Sequence, residues 1–244
     1  MRKLRLTISL CLLASGIAQA DERSHTLVLY GLGIGIDGQA TVGPLTADID
    51  VPLSEILNHL EMAAMGSYRW DSEKWSFQAD AIFASLAGES EGGQGLTRTT
   101  LDLDQLIVEL DGGYKFTDRL ELVFGARYWD IDPTIKVHAA GTGNVIATAG
   151  GGNSWTDPLV GLRVVAPISD AWTFVARGDI GGFGVGSDFA WGASAHFDWH
   201  TSDHFTMLFG YRILDVDFED RGNNGLASLD LQEGGPAIGV AWTF

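Results

Sequence analysis

Six histidines and a surplus of carboxylates are where chemistry would be sought in this sequence. The tightest grouping is His200-Thr-Ser-Asp203-His204, which has the side chains of a metal or acid–base cluster. Just before it, Ser194, His196 and Asp198 recur at every second position, so a strand would put them on one face. Residues i and i+2 of a strand lie about 7 Å apart, which predicts no direct hydrogen-bond relay between them. A third grouping, Asp215-Val-Asp217-Phe-Glu219-Asp220, offers oxygen ligands for a divalent cation but lacks EF-hand spacing. His25, His59 and His138 stand apart from these groups. No grouping joins a nucleophile, a base and an orienting residue, so the chain reads as non-enzymatic, with no catalytic residue, metal or cofactor.

The elements that must position these residues are strands. In the last nine residues Pro236, Ile238, Val240, Trp242 and Phe244 alternate with Ala237, Gly239, Ala241 and Thr243. That length matches a tilted strand crossing a bilayer, roughly 9–11 residues. Similar stretches recur at 26–36, 62–70, 75–85, 103–116, 120–130, 159–167, 172–182, 188–199 and 205–216. The first of them carries Val28, Tyr30, Leu32, Ile34 and Ile36 on one face. Short connections at 71–74, 117–118, 169–170 and 200–203 alternate with long ones at 37–61, 87–95, 132–153 and 217–225. The expected fold is all-β: a transmembrane antiparallel up-and-down β-barrel of about ten strands, with eight or twelve also fitting. Both termini then lie on the periplasmic side and the long loops outside. A hairpin extension is expected at 134–139 and 144–149. Pro158 and Pro236 should begin strands, Pro167 should end one, and Pro44, Pro52 and Pro133 should lie in loops. The first extracellular loop holds one short helix, capped by Ser54, whose face of Ile56, Leu57 and Leu60 would form a lid or gate.

Alternation assigns the two faces of the wall. Phe77, Ala79, Ala81 and Phe83, then Leu120, Leu122, Phe124, Ala126 and Tyr128, then Phe205, Met207, Phe209, Tyr211 and Ile213 point outward. Trp70, Trp75, Phe116, Trp172, Trp199, Trp242 and Phe244 form one aromatic belt near the short turns. Tyr128, Trp129, Trp155, Trp191 and Tyr211 form a second near the long loops. Arg69, Asp80, Glu109, Asp111, Glu121, Arg127, Arg163, Arg177, Asp179, His196, Asp198 and Arg212 fall on the opposite face. An arginine facing lipid at mid-depth would cost about 2–4 kcal/mol, so these residues must line the lumen as an ionic network. Long paired side chains leave a barrel of this size closed or very narrow.

The ends and the composition agree. Residues 1–20 read as a cleaved signal peptide: Arg2, Lys3 and Arg5, an apolar run, then Ala18-Gln19-Ala20. Residues 21–244 form a single barrel domain. The only cysteine, Cys11, lies in the signal, so the mature chain has neither disulfides nor thiolate ligands. Removing the signal takes away three basic residues and no acidic one, moving the formal charge from −17 to −20. Such an acidic chain excludes nucleic acid as a partner.

Three stretches carry a resemblance. Trp155-Thr-Asp-Pro-Leu-Val-Gly-Leu-Arg163, Arg177-Gly-Asp-Ile-Gly-Gly-Phe-Gly-Val-Gly-Ser-Asp188 and Gly210-Tyr-Arg-Ile-Leu-Asp-Val-Asp217 resemble a group of proteobacterial outer-membrane β-barrel proteins. These are small OmpA/OmpW-like barrels of uncharacterised activity, and the segment from Ser54 to Leu60 fits the same group. The resemblance implies a place in the outer membrane of Gram-negative bacteria, among its lipids and lipopolysaccharide. It also implies that the barrel assembly machinery recognises the end bearing Trp242 and Phe244. The function expected is that of a structural or surface protein, or a narrow porin-like channel with an Arg–carboxylate lumen. The alternatives are a barrel that binds or takes up a hydrophobic solute, or a membrane-embedded enzyme modifying lipid or peptide. The oligomeric state is left open.

Overall fold

Residues with alternating side chains fold as strands throughout the part of the chain that the computed structural model describes. That part is residues 23–33, 35–42, 45–51, 60–92, 97–139, 141–220 and 226–244. The strands are β1 (Ser24–Leu32), β2 (Gly35–Val42), β3 (Leu45–Val51), β4 (Leu60–Asp71), β5 (Trp75–Gly92), β6 (Thr97–Thr117) and β7 (Leu120–Ala139). They continue as β8 (Val145–Gly150), β9 (Asn153–Ser169), β10 (Trp172–Gly181), β11 (Phe189–His200), β12 (Phe205–Glu219) and β13 (Leu226–Thr243). Ten of them close into an antiparallel barrel in the order β1, β4, β5, β6, β7, β9, β10, β11, β12, β13. Closure is made by β13 pairing back on β1, from Thr26 opposite Thr243 to Leu32 opposite Ala237. The terminal Phe244 completes the seam, donating its amide to the His25 carbonyl at 2.9 Å and accepting from the His25 amide at 3.0 Å.

The wall is taller than the sequence suggests. β2 continues the line of β1 along β13, from Gly35 opposite Gly234 to Val42 opposite Leu226, and β3 pairs on β2. β5 and β6 pair as far as Gly92 and Thr97, and β8 pairs on the far end of β7. Much of what reads as loop at 37–61 and 87–95 is therefore strand. The disguise is compositional: these stretches are rich in polar and acidic residues, with Asp37 and Gln39 of β2 on the outer face, and glycines interrupt the pattern. Yet Leu229-Asp230-Leu231-Gln232 alternates cleanly, with Leu229 and Leu231 buried against Ile36, Ala40 and Val42. The expected hairpin near 134–149 is formed by β7 and β8.

Ser54, Ile56 and Leu57 of the expected helix lie outside the described residues, as does the expected signal peptide at 1–20. Leu60, the third member of its apolar face, begins β4 opposite Leu86 and is strand rather than helix.

The prolines correct the expectation in an instructive way. Pro133, Pro158 and Pro236 lie inside strands, not in loops or at strand starts. Each sits where a partner ladder changes. Pro236 marks the hand-over from β1 to β2 along β13, and Pro133 the hand-over from β9 to β8 along β7. Pro158 lies just beyond the end of β10, and Pro167 faces the irregularity at Trp172/Thr173. A residue without an N–H is tolerated where no donor is demanded.

Around the end that carries the termini and the short turns, the outer surface is apolar. Leu27, Leu29, Phe77, Leu110, Phe124, Leu162, Val164, Phe197, Ile238 and Val240 are exposed there, with Trp75, Phe116, Trp172, Trp199, Trp242 and Phe244 toward the rim. The second aromatic belt is corrected. Trp129 and Trp155 point inward and are buried, because they share parity with the inward Arg127 and Asp157.

Candidate functional site

The barrel interior is layered, and its layers follow from which side chains fall on inward positions. At mid-height Arg127, only 1% exposed, donates from Nε to Glu109 Oε2 at 2.7 Å and from Nη2 to Asp179 Oδ1 at 2.7 Å. Arg177 spans the same two carboxylates, with Nη2 2.8 Å from Glu109 Oε1 and 3.2 Å from Asp179 Oδ2. It also donates from Nη1 to Asp111 Oδ2 at 2.8 Å. Across the lumen Arg212 Nη1 donates to Asp80 Oδ1 at 2.9 Å and to Tyr30 Oη at 3.0 Å. Tyr30 in turn donates to Asp80 at 2.8 Å. Strands β1, β5, β6, β7, β10 and β12 are thus cross-linked through the centre. Gly192 leaves the space these long side chains occupy: a Cβ there would lie 3.1 Å from Asp179 Oδ1 and 3.2 Å from Arg127 Nη2.

A second ionic layer lies nearer the short turns. Arg69 holds Asp71 with two bonds of 2.7 and 2.8 Å and donates to Glu121 Oε2 at 2.8 Å. Lys115 Nζ lies 2.7 Å from Asp71 Oδ1, and Ser76 donates to Glu121. Arg163 reaches Glu121 Oε2 only at 3.4 Å. His196 Nε2 lies 3.4 Å from Asp198 Oδ1, closer than strand spacing alone predicts, because the two side chains lean together. Beside this layer is a chamber of about 340 Å³, reaching from Arg177 and Arg212 down to His200, Thr206 and Thr243 at the rim.

Above the mid-height layer the interior becomes apolar. Trp129 stacks on Trp155 with ring centres 6.0 Å apart, and Trp155 on Phe218 at 3.9 Å. Both indole N–H groups donate to Asp157 Oδ2, at 2.9 and 3.3 Å. Asp157 also accepts the Ser187 amide at 2.7 Å and the Ser187 hydroxyl at 2.8 Å, tying the β10–β11 connection to the interior. Beyond them Ile82, Leu103, Ile107, Ile131, Ile135, Val216, Leu229 and Leu231 fill the lumen, all buried. The Arg127 guanidinium lies 5.8 Å from the Trp129 ring centre and joins the two layers.

All twelve ionisable residues assigned to the inner face lie on the lumen side, and each has an ionisable neighbour within 4.0 Å, which for Asp198 is His196. Sequence reasoning missed Tyr30, Asp71, Lys115 and Asp157. Parity could have found three of them. Glu109, Asp111, Gly113 and Lys115 alternate in one register, as do Arg69 with Asp71 and Trp155 with Asp157. The histidine groupings separate. His200 contacts the hydroxyls of Thr173 at 3.0 Å and Thr206 at 3.1 Å, whereas His204 contacts the Thr243 carbonyl at 2.9 Å. Both serve to tie short-turn ends together. Among the described residues, no group of three or more His, Cys, Asp or Glu side chains is placed to hold a metal ion. Asp217 lies beyond the apolar outer surface. Burial, then the charges of Asp230, Asp188, Glu219 and Asp215, push its carboxyl above the usual range.

No protein-family model matches this chain, and no curated protein does. Solved structures do. The fold is similar to that of the outer membrane protease OmpT from Escherichia coli, with a TM-score of 0.54 over 94% of this chain and 99% of that one, at 8% identity. Weaker likenesses join it to the translocator domain of the autotransporter NalP from Neisseria meningitidis (TM-score 0.42, 13% identity, 91% and 88% covered). Another is a FadL homologue of Pseudomonas aeruginosa (TM-score 0.33, 12% identity, 91% and 90% covered). What is shared with OmpT is the fold, a closed antiparallel barrel.

Proposed function

We propose that the protein is an integral outer-membrane β-barrel of Gram-negative bacteria that acts as a sealed, non-enzymatic scaffold and carries a tall β-structure above the membrane. The exposed apolar surface around the short-turn end is the part suited to lipid, and the termini and short turns then face the periplasm. The acidic outer face of the extended strands suits solvent and the lipopolysaccharide zone. Trp242 and Phe244, exposed at the closing seam, are suited to recognition by the barrel assembly machinery. Loss of Phe244 should lower the amount of folded barrel in the outer membrane.

One observation carries the sealed reading: two unlike layers, ionic and apolar, succeed each other across the lumen, and both are cross-linked from opposite walls. An open porin-like path would have to pass both. The test is single-channel recording of the purified barrel in planar bilayers in concentrated KCl. Silence is expected, and steady unitary currents would overturn the reading.

A further inference from the structure

The chamber of about 340 Å³ exists because one wall is built from small side chains. Among the inward positions of β12 and β13 are Gly210, Ala237, Gly239 and Ala241, and next to them Val28 and Leu208 add apolar surface. The charged residues of the opposite wall are mostly held by one another and do not fill the gap. Two are not. Among the described residues, the only side-chain partner of Arg163 is Glu121 at 3.4 Å, an oxygen that Arg69 already holds at 2.8 Å. A guanidinium has five N–H donors, so most of those on Arg163 are unused. Asp198 Oδ1 is buried without a hydrogen-bond partner, with His196 Nε2 at 3.4 Å. Both residues line the chamber, whose lining continues to the exposed His200 at the rim.

A cation with spare donors and a carboxylate with a spare oxygen, on a wall opposite apolar surface, are complementary to a molecule with both charges and an apolar body. A simple anion would satisfy Arg163 and be repelled by Asp198, and a simple cation the reverse. We propose that this chamber binds a small apolar zwitterion from the periplasmic side, its carboxylate on Arg163, its ammonium on Asp198 and its body against the Gly210–Ala241 wall. A free amino acid and a short peptide share this chemistry. The volume lies at the lower end of the roughly 300–1,000 Å³ typical of small-molecule sites. The proposal rests on the lumen being closed above the chamber, which makes it a blind pocket. Channel recording reports on that closure, and binding reports on the chamber.

The test is isothermal titration of the mature barrel in nanodiscs with leucine, Leu-Leu, isovalerate, isobutylamine and inorganic phosphate. Leucine or Leu-Leu should bind, and which one does identifies the source. Isovalerate, isobutylamine and phosphate, each lacking one charge or the apolar body, should bind at least about ten-fold more weakly. Arg163→Gln and Asp198→Asn should each weaken zwitterion binding by about ten-fold or more. Ala241→Leu should abolish it by filling the space without altering a charge. Heat-modifiable migration on gels would show that each variant is folded. Absence of binding by both zwitterions, equal binding of phosphate, or wild-type affinity in folded Arg163→Gln would overturn the proposal.

Discussion

The two halves of the barrel interior solve the problem of filling a tube in opposite ways. Toward the short turns the inward positions hold arginines and carboxylates, in bonds of 2.6–3.4 Å. Toward the long connections they hold mainly Ile, Leu, Val, Trp and Phe, packed as in a soluble core around one buried polar pair in which Gln105 donates to Glu233 at 3.2 Å. Where the outer face is apolar, an apolar inner face as well would make every side chain of the strand greasy. An ionic lumen avoids this, and its bonds from strand to strand fix the register. Where the outer face turns polar, the inner face can become a conventional hydrophobic core. The hydrophobic side of the sheet changes from outside to inside along the same strands. Asp157 and Arg127 lie at that crossover, the first holding both indoles, the second stacked near one and paired below.

This contrast can be broken from either side, and the ionic side should break harder. Arg127→Met leaves Glu109 and Asp179 short of a counter-charge in a buried site, and should cost about 3–5 kcal/mol. Adding Glu109→Gln to it should recover part of that loss, because the pair is then removed together. Ile131→Ala in the apolar half should cost about 2–5 kcal/mol by cavity formation, with no such rescue by a neighbour. Urea unfolding of the refolded barrel, followed by tryptophan fluorescence, would measure both. Equal rescue in both halves, or none in either, would show that the layers are not different in kind.

The smallest effect belongs to the outer surface. Asp217 has its folded-state carboxyl raised by burial and by Asp230, Asp188, Glu219 and Asp215. A raised carboxyl means that the folded state holds its proton better than the unfolded one. The stability it contributes is therefore present below the ordinary carboxylate range and lost as pH rises through the folded value. Asp217→Asn should stabilise the barrel slightly at neutral pH and not in acid. Melting temperatures at the two pH values would check the sign.

Much of this contrast was legible in the sequence because strand parity is a strict rule. Once Arg127 is assigned to the lumen, every second residue of β7 follows, and the twelve charges fall on one side. The same rule should have turned Trp129 inward; the habit of reading tryptophan as a membrane-interface residue overrode it. The extension of the wall was hidden for a different reason. Stretches such as 87–92 and 217–219 are rich in Gly, Asp or Glu, and read as solvated loops when lipid-facing apolarity is the strand signal. Above the apolar surface that signal changes sides. The leaning of His196 onto Asp198, and the single long contact of Arg163 with Glu121, depend on rotamers and on which carboxylate another arginine already holds. Spacing carries no record of either.

The central claim is that the lumen is closed from the long-loop end and open only as a chamber from the short-turn end. It can be tested with single cysteines, because the sequence has only Cys11, which a Cys11→Ser background removes. Ser194→Cys, in the chamber, and Ile107→Cys, in the apolar layer, would be exposed to a membrane-impermeant maleimide from each side in turn. The account predicts labelling of Ser194→Cys from the periplasmic side alone and of Ile107→Cys from neither. Labelling of either position from the extracellular side would contradict it.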